Sequence, residues 1–115
     1  MKIGVFDSGV GGLTIFRDLE MLLPKYDYIY LGDNLRTPYG GRDQETVYKF
    51  TKQACEFLFS KGCQIIILAC NTASASALHR LQKEYLPKLN DKNKRILGII
   101  RPIAEKIPTL SKNMN

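Results

Sequence analysis

A cysteine at the end of an apolar run is the residue in this sequence best suited to chemistry. Residues 64–78 read QIIILACNTASASAL, in which the apolar run 65–68 precedes Cys70 and a group of small polar residues. Unbroken apolar character predicts a strand covered on both faces in a parallel sheet, and the alanines beyond it predict a helix. Ligands bind at the carboxyl ends of such strands, and we expect Asn71 or Thr72 to cap the helix. A helix N-terminus favours the thiolate, the form of cysteine that acts as base or nucleophile.

Two other turns carry polar groups and are expected at the same sheet edge. Each follows a predicted strand, at residues 2–6 and 26–31. A carboxylate can take a proton or pair with an ammonium, hydroxyls and amides can bind a carboxylate, and a thiol can exchange a proton with carbon. This set suits a small zwitterion. The candidate site residues are Asp7, Ser8, Tyr39, Gly40, Cys70, Asn71 and Thr72.

Each of these residues also has a purely structural interpretation. Asp7 and Ser8 are common helix caps, and Tyr39 after Pro38 can simply pack within a loop. Cys70 can be a small core residue, because free cysteine is among the most buried residue types. The functional interpretation therefore rests on the three turns converging.

The glycine-rich turn after the first strand invites a nucleotide-binding interpretation, which its spacing opposes. Gly9-Val10-Gly11 with Asp33 further on loosely imitates a dinucleotide fingerprint, but Thr14 stands where the third glycine belongs. A carboxylate at Asp7 would also repel a pyrophosphate. No Gly-Lys-Ser/Thr follows, which excludes a P-loop, and Gly9 stands where an aspartyl-phosphate phosphatase needs a second carboxylate.

The elements that must position these turns alternate along the chain. Apolar patterns predict strands at 2–6, 26–31, 65–68 and 95–100. Helices are predicted at 13–23, from an N-cap at Asp43 to about 61, from a cap at Asn71 or Thr72 to about 85, and briefly at 103–107. Four successive βα units predict an α/β fold with a three-layer parallel sheet. The predicted inward stripe of the second helix is Val47, Phe50, Ala54, Phe57 and Leu58, and that of the third is Ser74, Ala77, Leu78, Leu81 and Tyr85.

Composition limits the other functions that the chain could have. Its 115 residues suffice for one core, and no apolar run approaches a membrane span or a signal peptide, so we expect a cytoplasmic protein that does not bind a membrane. The net charge of +6 lies mostly beyond residue 82. Because the basic residues there lack interleaved aromatics, a solvated loop is favoured over nucleic-acid binding.

The three cysteines and single histidine give no metal-binding pattern. An odd cysteine count without paired spacing predicts reduced thiols and no metal site. Cys55 lies beside the stripe of the second helix, and Cys63 begins the third strand at the edge opposite the turns, so both are expected to be structural. His79 is expected on the surface of the third helix.

Residues 6–14 (FDSGVGGLT), 38–40 (PYG), 69–74 (ACNTAS) and 98–102 (GIIRP) together resemble the glutamate racemases of the aspartate/glutamate racemase superfamily. The resemblance implies the first half of a two-domain pseudo-symmetric enzyme that interconverts L- and D-glutamate without a cofactor and supplies D-glutamate for peptidoglycan. It implies that Cys70 is one of two proton-transferring cysteines with Asp7 as its helper. The implied substrate-binding residues are Asp7, Ser8, Tyr39, Gly40, Asn71 and Thr72.

The sequence departs from the family pattern in its second half. Inversion at carbon needs a proton removed from one face and another delivered to the opposite face, yet the family's second motif, Cys-Thr-His, is absent and His79 matches no family position. The resemblance therefore implies an α/β domain at 1–100, a partly frayed passage toward a second domain at 101–115, and a missing half or partner chain that supplies the second cysteine. A racemase half and a non-catalytic glutamate-binding or regulatory fragment both remain open.

Overall fold

Four parallel strands form one sheet in the part of the chain that the structure describes. The computed structural model describes residues 1–7, 12–33 and 43–98. The strands β1 (Lys2–Asp7), β2 (Asp27–Gly32), β3 (Cys63–Leu68) and β4 (Arg95–Gly98) are arranged in the order β2-β1-β3-β4. The helices are α1 (Gly12–Leu22), α2 (Gln44–Ser60), α3 (Asn71–Ser76) and α4 (Leu78–Arg80), followed by a π-helical turn at Leu81–Tyr85 and a 3-10 turn at Leu86–Lys88. The predicted α/β class and parallel sheet are confirmed.

Side chains alternate between the two faces of the sheet and so define three layers. Phe6, Ile66 and Ile96 point to the face that packs with α2 and α3 in the main core. Residues one position along the strands point to the other face, where α1 contacts β1 and β2. There the ring of Phe16 lies 5.8 Å from that of Tyr28 and 5.6 Å from that of Tyr30. Helices therefore lie on both faces of the sheet.

The ends of α2 follow the predicted signals. The Asp43 side chain accepts a hydrogen bond of 2.7 Å from the backbone N–H of Thr46, as an N-cap does. Beyond the helix, Gly62 has φ of 95°, a conformation that glycine adopts without the strain of a Cβ. These two residues fix the length of α2 and the start of β3.

The predicted stripe of α2 is wrong at one position. Val47, Ala54 and Leu58 are buried, but Phe57 is 44% exposed. The buried stripe is centred on the side of the helix that carries Thr51, and Phe57 lies well round the helix from it at about 100° per residue. The inward stripe predicted for the third helix is confirmed, with Leu78 half-buried and the others buried.

Other predicted elements differ modestly or fall outside the description. Strand β4 is described to Gly98, while the remaining predicted strand residues, 99–100, the short helix at 103–107 and the frayed end lie outside the described residues. The predicted third helix is broken at Ala77 into α3 and α4. None of the helices in the described ranges has the length and apolar character needed to span a membrane.

Candidate functional site

Asp7 and Cys70 lie at the carboxyl ends of two adjacent strands. Phe6 of β1 is in register with Leu68 of β3, and the Ala69 N–H donates a 2.8 Å hydrogen bond to the Phe6 carbonyl, so Asp7 stands beside the turn that leads into Cys70. The next strand in the sequence, β2, pairs with one side of β1, and β3 pairs with the other side. This reversal makes the β1/β3 edge the switch point at which open α/β sheets bind ligands.

Asp7 is a buried carboxyl residue at the end of β1. It is only 5% exposed, and its backbone carbonyl accepts a 2.9 Å hydrogen bond from the N–H of Asp33. Aspartate is almost never this buried unless its carboxylate is paired. The position suits a group that handles a proton or an ammonium.

Cys70 occupies the N-cap position of α3, which corrects the predicted cap. Asn71 and Thr72 are the first two residues of the helix, and Cys70 precedes it in an extended conformation without a side-chain capping bond. The helix therefore starts one residue earlier than a cap at Asn71 predicts and two residues earlier than a cap at Thr72 predicts. Cys70 is 6% exposed and packs with the core residues, so the residue that precedes the helix is also part of the core.

The other predicted site residues are described only in part. Ser8, Tyr39 and Gly40 lie outside the described residues, and of Asn71 and Thr72 only the helical backbone is described. Asp7, Cys70 and the Asn71–Thr72 backbone all lie at the carboxyl edge of the sheet. The convergence of the remaining groups stays a prediction.

Asp33 was missed as a site candidate by the sequence reasoning. It directly follows β2, its N–H binds the Asp7 backbone, and it lines a cavity of about 200 Å³ with Gly32, Phe50 and Gln53. The available signal was its place immediately after a predicted strand, the same signal that selected Asp7 and Cys70. The cavity does not reach Cys70.

The other cysteines and the histidine lie where the sequence predicts. Cys63 begins β3 in register with Lys2, at the opposite edge, and burial raises the pKa of its thiol. Cys55 is fully buried in α2, where loss of hydration raises the pKa of its thiol to about 12 and keeps it protonated at neutral pH. His79 is exposed on α4. Within the described ranges, no group of three His, Cys, Asp or Glu residues is arranged to hold a metal ion.

The fold and this edge define an open-sheet α/β domain with a carboxyl group and a thiol at its switch point. No protein-family model matches the chain. It is homologous to the glutamate racemases: it is 52% identical over 108 residues to the glutamate racemase of Caulobacter sp. strain K31, covering 91% of this chain and 38% of the relative. The chain thus spans less than two fifths of the length of the curated relatives it matches.

Solved structures agree with the sequence comparison. Glutamate racemase from Aquifex pyrophilus matches with a TM-score of 0.78 and 45% identity, covering 92% of this chain and 39% of the other. The Francisella tularensis enzyme, solved in complex with D-glutamate, matches with a TM-score of 0.72 and 42% identity over 84% of this chain and 35% of the other. The fold described above is therefore similar to about two fifths of each of these glutamate racemase structures.

Proposed function

We propose that this chain forms one half of a glutamate racemase active site, in which Cys70 exchanges the α-proton of glutamate. The observation that supports the proposal is that Asp7 and Cys70 occur at the carboxyl ends of the adjacent strands β1 and β3. Homology to proteins named glutamate racemase supports glutamate as the substrate. The relative solved with D-glutamate supports a small-molecule ligand for this fold.

The chemistry assigned to Cys70 is a proton transfer at carbon. Its thiolate takes the α-proton and becomes a thiol, and the electron pair of the broken C–H bond stays on the substrate as a carbanion. Asp7 assists by pairing with the substrate ammonium or by exchanging a proton with the thiol. Inversion is completed when a second acid protonates the carbanion on its opposite face.

Substrate binding is assigned to the polar groups of the three turns. Asp7 pairs with the ammonium, and the hydroxyl, amide and backbone groups bind the two carboxylates. We assign this binding to Ser8, Tyr39, Gly40, Asn71 and Thr72 beside Asp7. The reaction needs no cofactor in this scheme, because a cysteine thiolate accepts the α-proton and a cysteine thiol donates one.

The second proton-transfer cysteine is assigned to another polypeptide segment. The chain covers 37% of the racemase from Dinoroseobacter shibae, so a larger assembly has room for a second domain or a partner chain. Residues 1–100 form the first domain in this proposal, and 101–115 lead toward the second. The complete enzyme provides D-glutamate for peptidoglycan in the cytoplasm.

A titration tests whether the edge binds glutamate. Amide spectra of the isotopically labelled chain are recorded with L-glutamate, D-glutamate and glutarate, which lacks the ammonium. We expect glutamate to shift the amides of Asp7, Asp33 and Cys70 and to leave Lys2 and Cys63 at the opposite edge unchanged. Glutarate is expected to bind more weakly.

Two results would contradict the proposal. One is the absence of any shift at millimolar glutamate, and the other is a set of shifts centred on the Cys63 edge. Glutamate binding without any exchange of the α-proton by Cys70 would instead favour the alternative function, a glutamate-binding fragment without catalysis.

A further inference from the structure

Ser74 joins helix α3 to the end of strand β3 across the turn that contains Cys70. Its hydroxyl donates a 3.0 Å hydrogen bond to the Leu68 carbonyl, and its backbone N–H donates a 2.9 Å hydrogen bond to the Cys70 carbonyl. The residue is only 8% exposed, so water competes little for these bonds. The two bonds tie the turn to the strand at one end and to the helix at the other.

Gly98 of β4 lies against the same Ser74 side chain. Leu68 is in register with Gly98, and a Cβ added at Gly98 would stand 2.7 Å from Leu78 Cδ2 and 3.0 Å from Ser74 Oγ. A side chain at this position would require Leu78 and Ser74 to shift, so the missing Cβ allows the helical segment to approach the sheet closely. The serine hydroxyl is therefore packed between the helix and β4 as well as hydrogen-bonded.

We propose that Ser74 is a positioning residue for Cys70. Its hydroxyl closes the segment from Leu68 to Ser74 into a fixed loop and so sets the place of the thiol relative to β1 and Asp7. The role of Cys70 itself rests on the proposed function, whereas the two Ser74 hydrogen bonds are a property of the fold. Ser74 has no assigned contact with substrate and acts through Cys70.

Site-resolved alkylation tests this role without glutamate. The chain is treated with iodoacetamide under native conditions, and peptide mass spectrometry gives a separate rate for each of its three cysteines. In Ser74→Ala the turn opens more often, so we expect Cys70 to be alkylated about fivefold faster, the factor that loss of one buried hydrogen bond gives. The rates of Cys55 and Cys63 are expected to stay within twofold of wild type.

Ser60→Ala is the matched control. Its hydroxyl also donates to a backbone carbonyl, that of Phe57 at 2.6 Å, but on the exposed end of α2. We expect this variant to leave all three alkylation rates unchanged. In Ser74→Thr, which keeps the hydroxyl, we expect Cys70 to be alkylated at a rate closer to that of wild type than in Ser74→Ala.

The outcomes separate positioning from general stability. Equal Cys70 rates in Ser74→Ala and Ser60→Ala would overturn the proposal. Faster alkylation of all three cysteines in Ser74→Ala, or outright unfolding, would show a global structural role and would also overturn it. Because no substrate is present, a failure of glutamate binding leaves these results unaffected.

Discussion

The chain's three thiols differ by their surroundings rather than by their residue type. Burial in α2 raises the pKa of Cys55 to about 12, and burial at the start of β3 raises the pKa of Cys63. Cys55 lies within α2 and Cys63 begins β3 at the opposite edge, whereas Cys70 follows β3 at the carboxyl edge where β1 ends with Asp7. Position in the sheet therefore decides which cysteine is assigned to the chemistry.

Replacing Asp7 by asparagine tests the role of the carboxylate. We expect Asp7→Asn to lower glutamate-dependent α-proton exchange at least tenfold, because a charged partner for the ammonium and a proton carrier are lost together. The amide keeps the shape of the side chain, so the melting temperature should change little. Exchange is followed by the loss of the Cα proton signal in D₂O.

Asp27→Asn is the control for this change. Asp27 is exposed and begins β2, at the edge opposite the site. The Asp27 variant should exchange glutamate like the wild type. Equal rates in the Asp7 and Asp27 variants would remove Asp7 from the reaction.

The sequence indicates some of the candidate site residues and not others. Asp7, Cys70 and Asp33 each follow a predicted strand, which is a local signal, although the sequence reasoning used it only for Asp7 and Cys70. Ser74 has no such signal, because its proposed role depends on the contact of its hydroxyl with the Leu68 carbonyl. Such contacts follow from tertiary packing, and a single sequence does not display them.

At the level of elements, β4 shows how one strand divides between core and solvent. Ile96 is 1% exposed and packs in the main core, while the next residue, Leu97, is 49% exposed on the opposite face. The two side chains have similar volume and lie on the same strand. They form a matched pair for measuring what burial contributes.

Truncating each residue of this pair should give different losses of stability. We expect Ile96→Ala to lower the free energy of unfolding by about 2–5 kcal/mol, since it removes buried carbon and leaves a cavity. Leu97→Ala should lower it by less than about 1 kcal/mol, because its side chain is already half in water. Urea unfolding measures both, and equal losses would contradict the assignment of the two faces.

The Asp43 cap predicts a pH-dependent contribution to stability. Hydrogen bonds from Thr46 lower the pKa of this carboxyl below its ordinary value of 3.8. A lowered native pKa means that the contribution is fully present above about pH 4 and is lost as pH falls through the native value. Asp43→Ala should therefore melt at a lower temperature than wild type at pH 7, with the difference shrinking as the pH falls below about 4.

Asparagine at the same position is the control, since it caps a helix without titrating. Asp43→Asn should lose less stability on acidification than the wild type does. A wild-type advantage over Asp43→Ala that stays constant down to pH 2 would show that the cap carboxylate does not contribute. Melting curves followed by circular dichroism give each value.

The order of the elements was predictable from the sequence, and their local details were not. Apolar runs and the glycine after α2 identified the strands and the end of that helix. The break at Ala77 and the π-helical turn from Leu81 to Tyr85 had no signal, because alanine and leucine both favour regular α-helix. The exposure of Phe57 likewise depended on the orientation of α2 against the sheet.

At the level of the whole molecule, the proposed mechanism assigns to the described residues one of the two proton-transfer groups that inversion needs, Cys70. The chain matches less than two fifths of its racemase relatives. A single thiol removes the α-proton and returns a proton to the same face. The chain alone is therefore expected to exchange the α-proton faster than it inverts the carbon.

The measurement that tests this account most directly is deuterium incorporation at Cα, with each glutamate enantiomer incubated separately in D₂O. We expect one enantiomer to gain deuterium slowly with retained configuration, inversion near background, no incorporation with Cys70→Ser, and wild-type incorporation with Cys63→Ala. Mass spectrometry after chiral separation reports both quantities. Incorporation that survives in Cys70→Ser, no incorporation in the wild type, or inversion by the chain alone as fast as incorporation would contradict the assignment of Cys70 as one half of the proton-transfer pair.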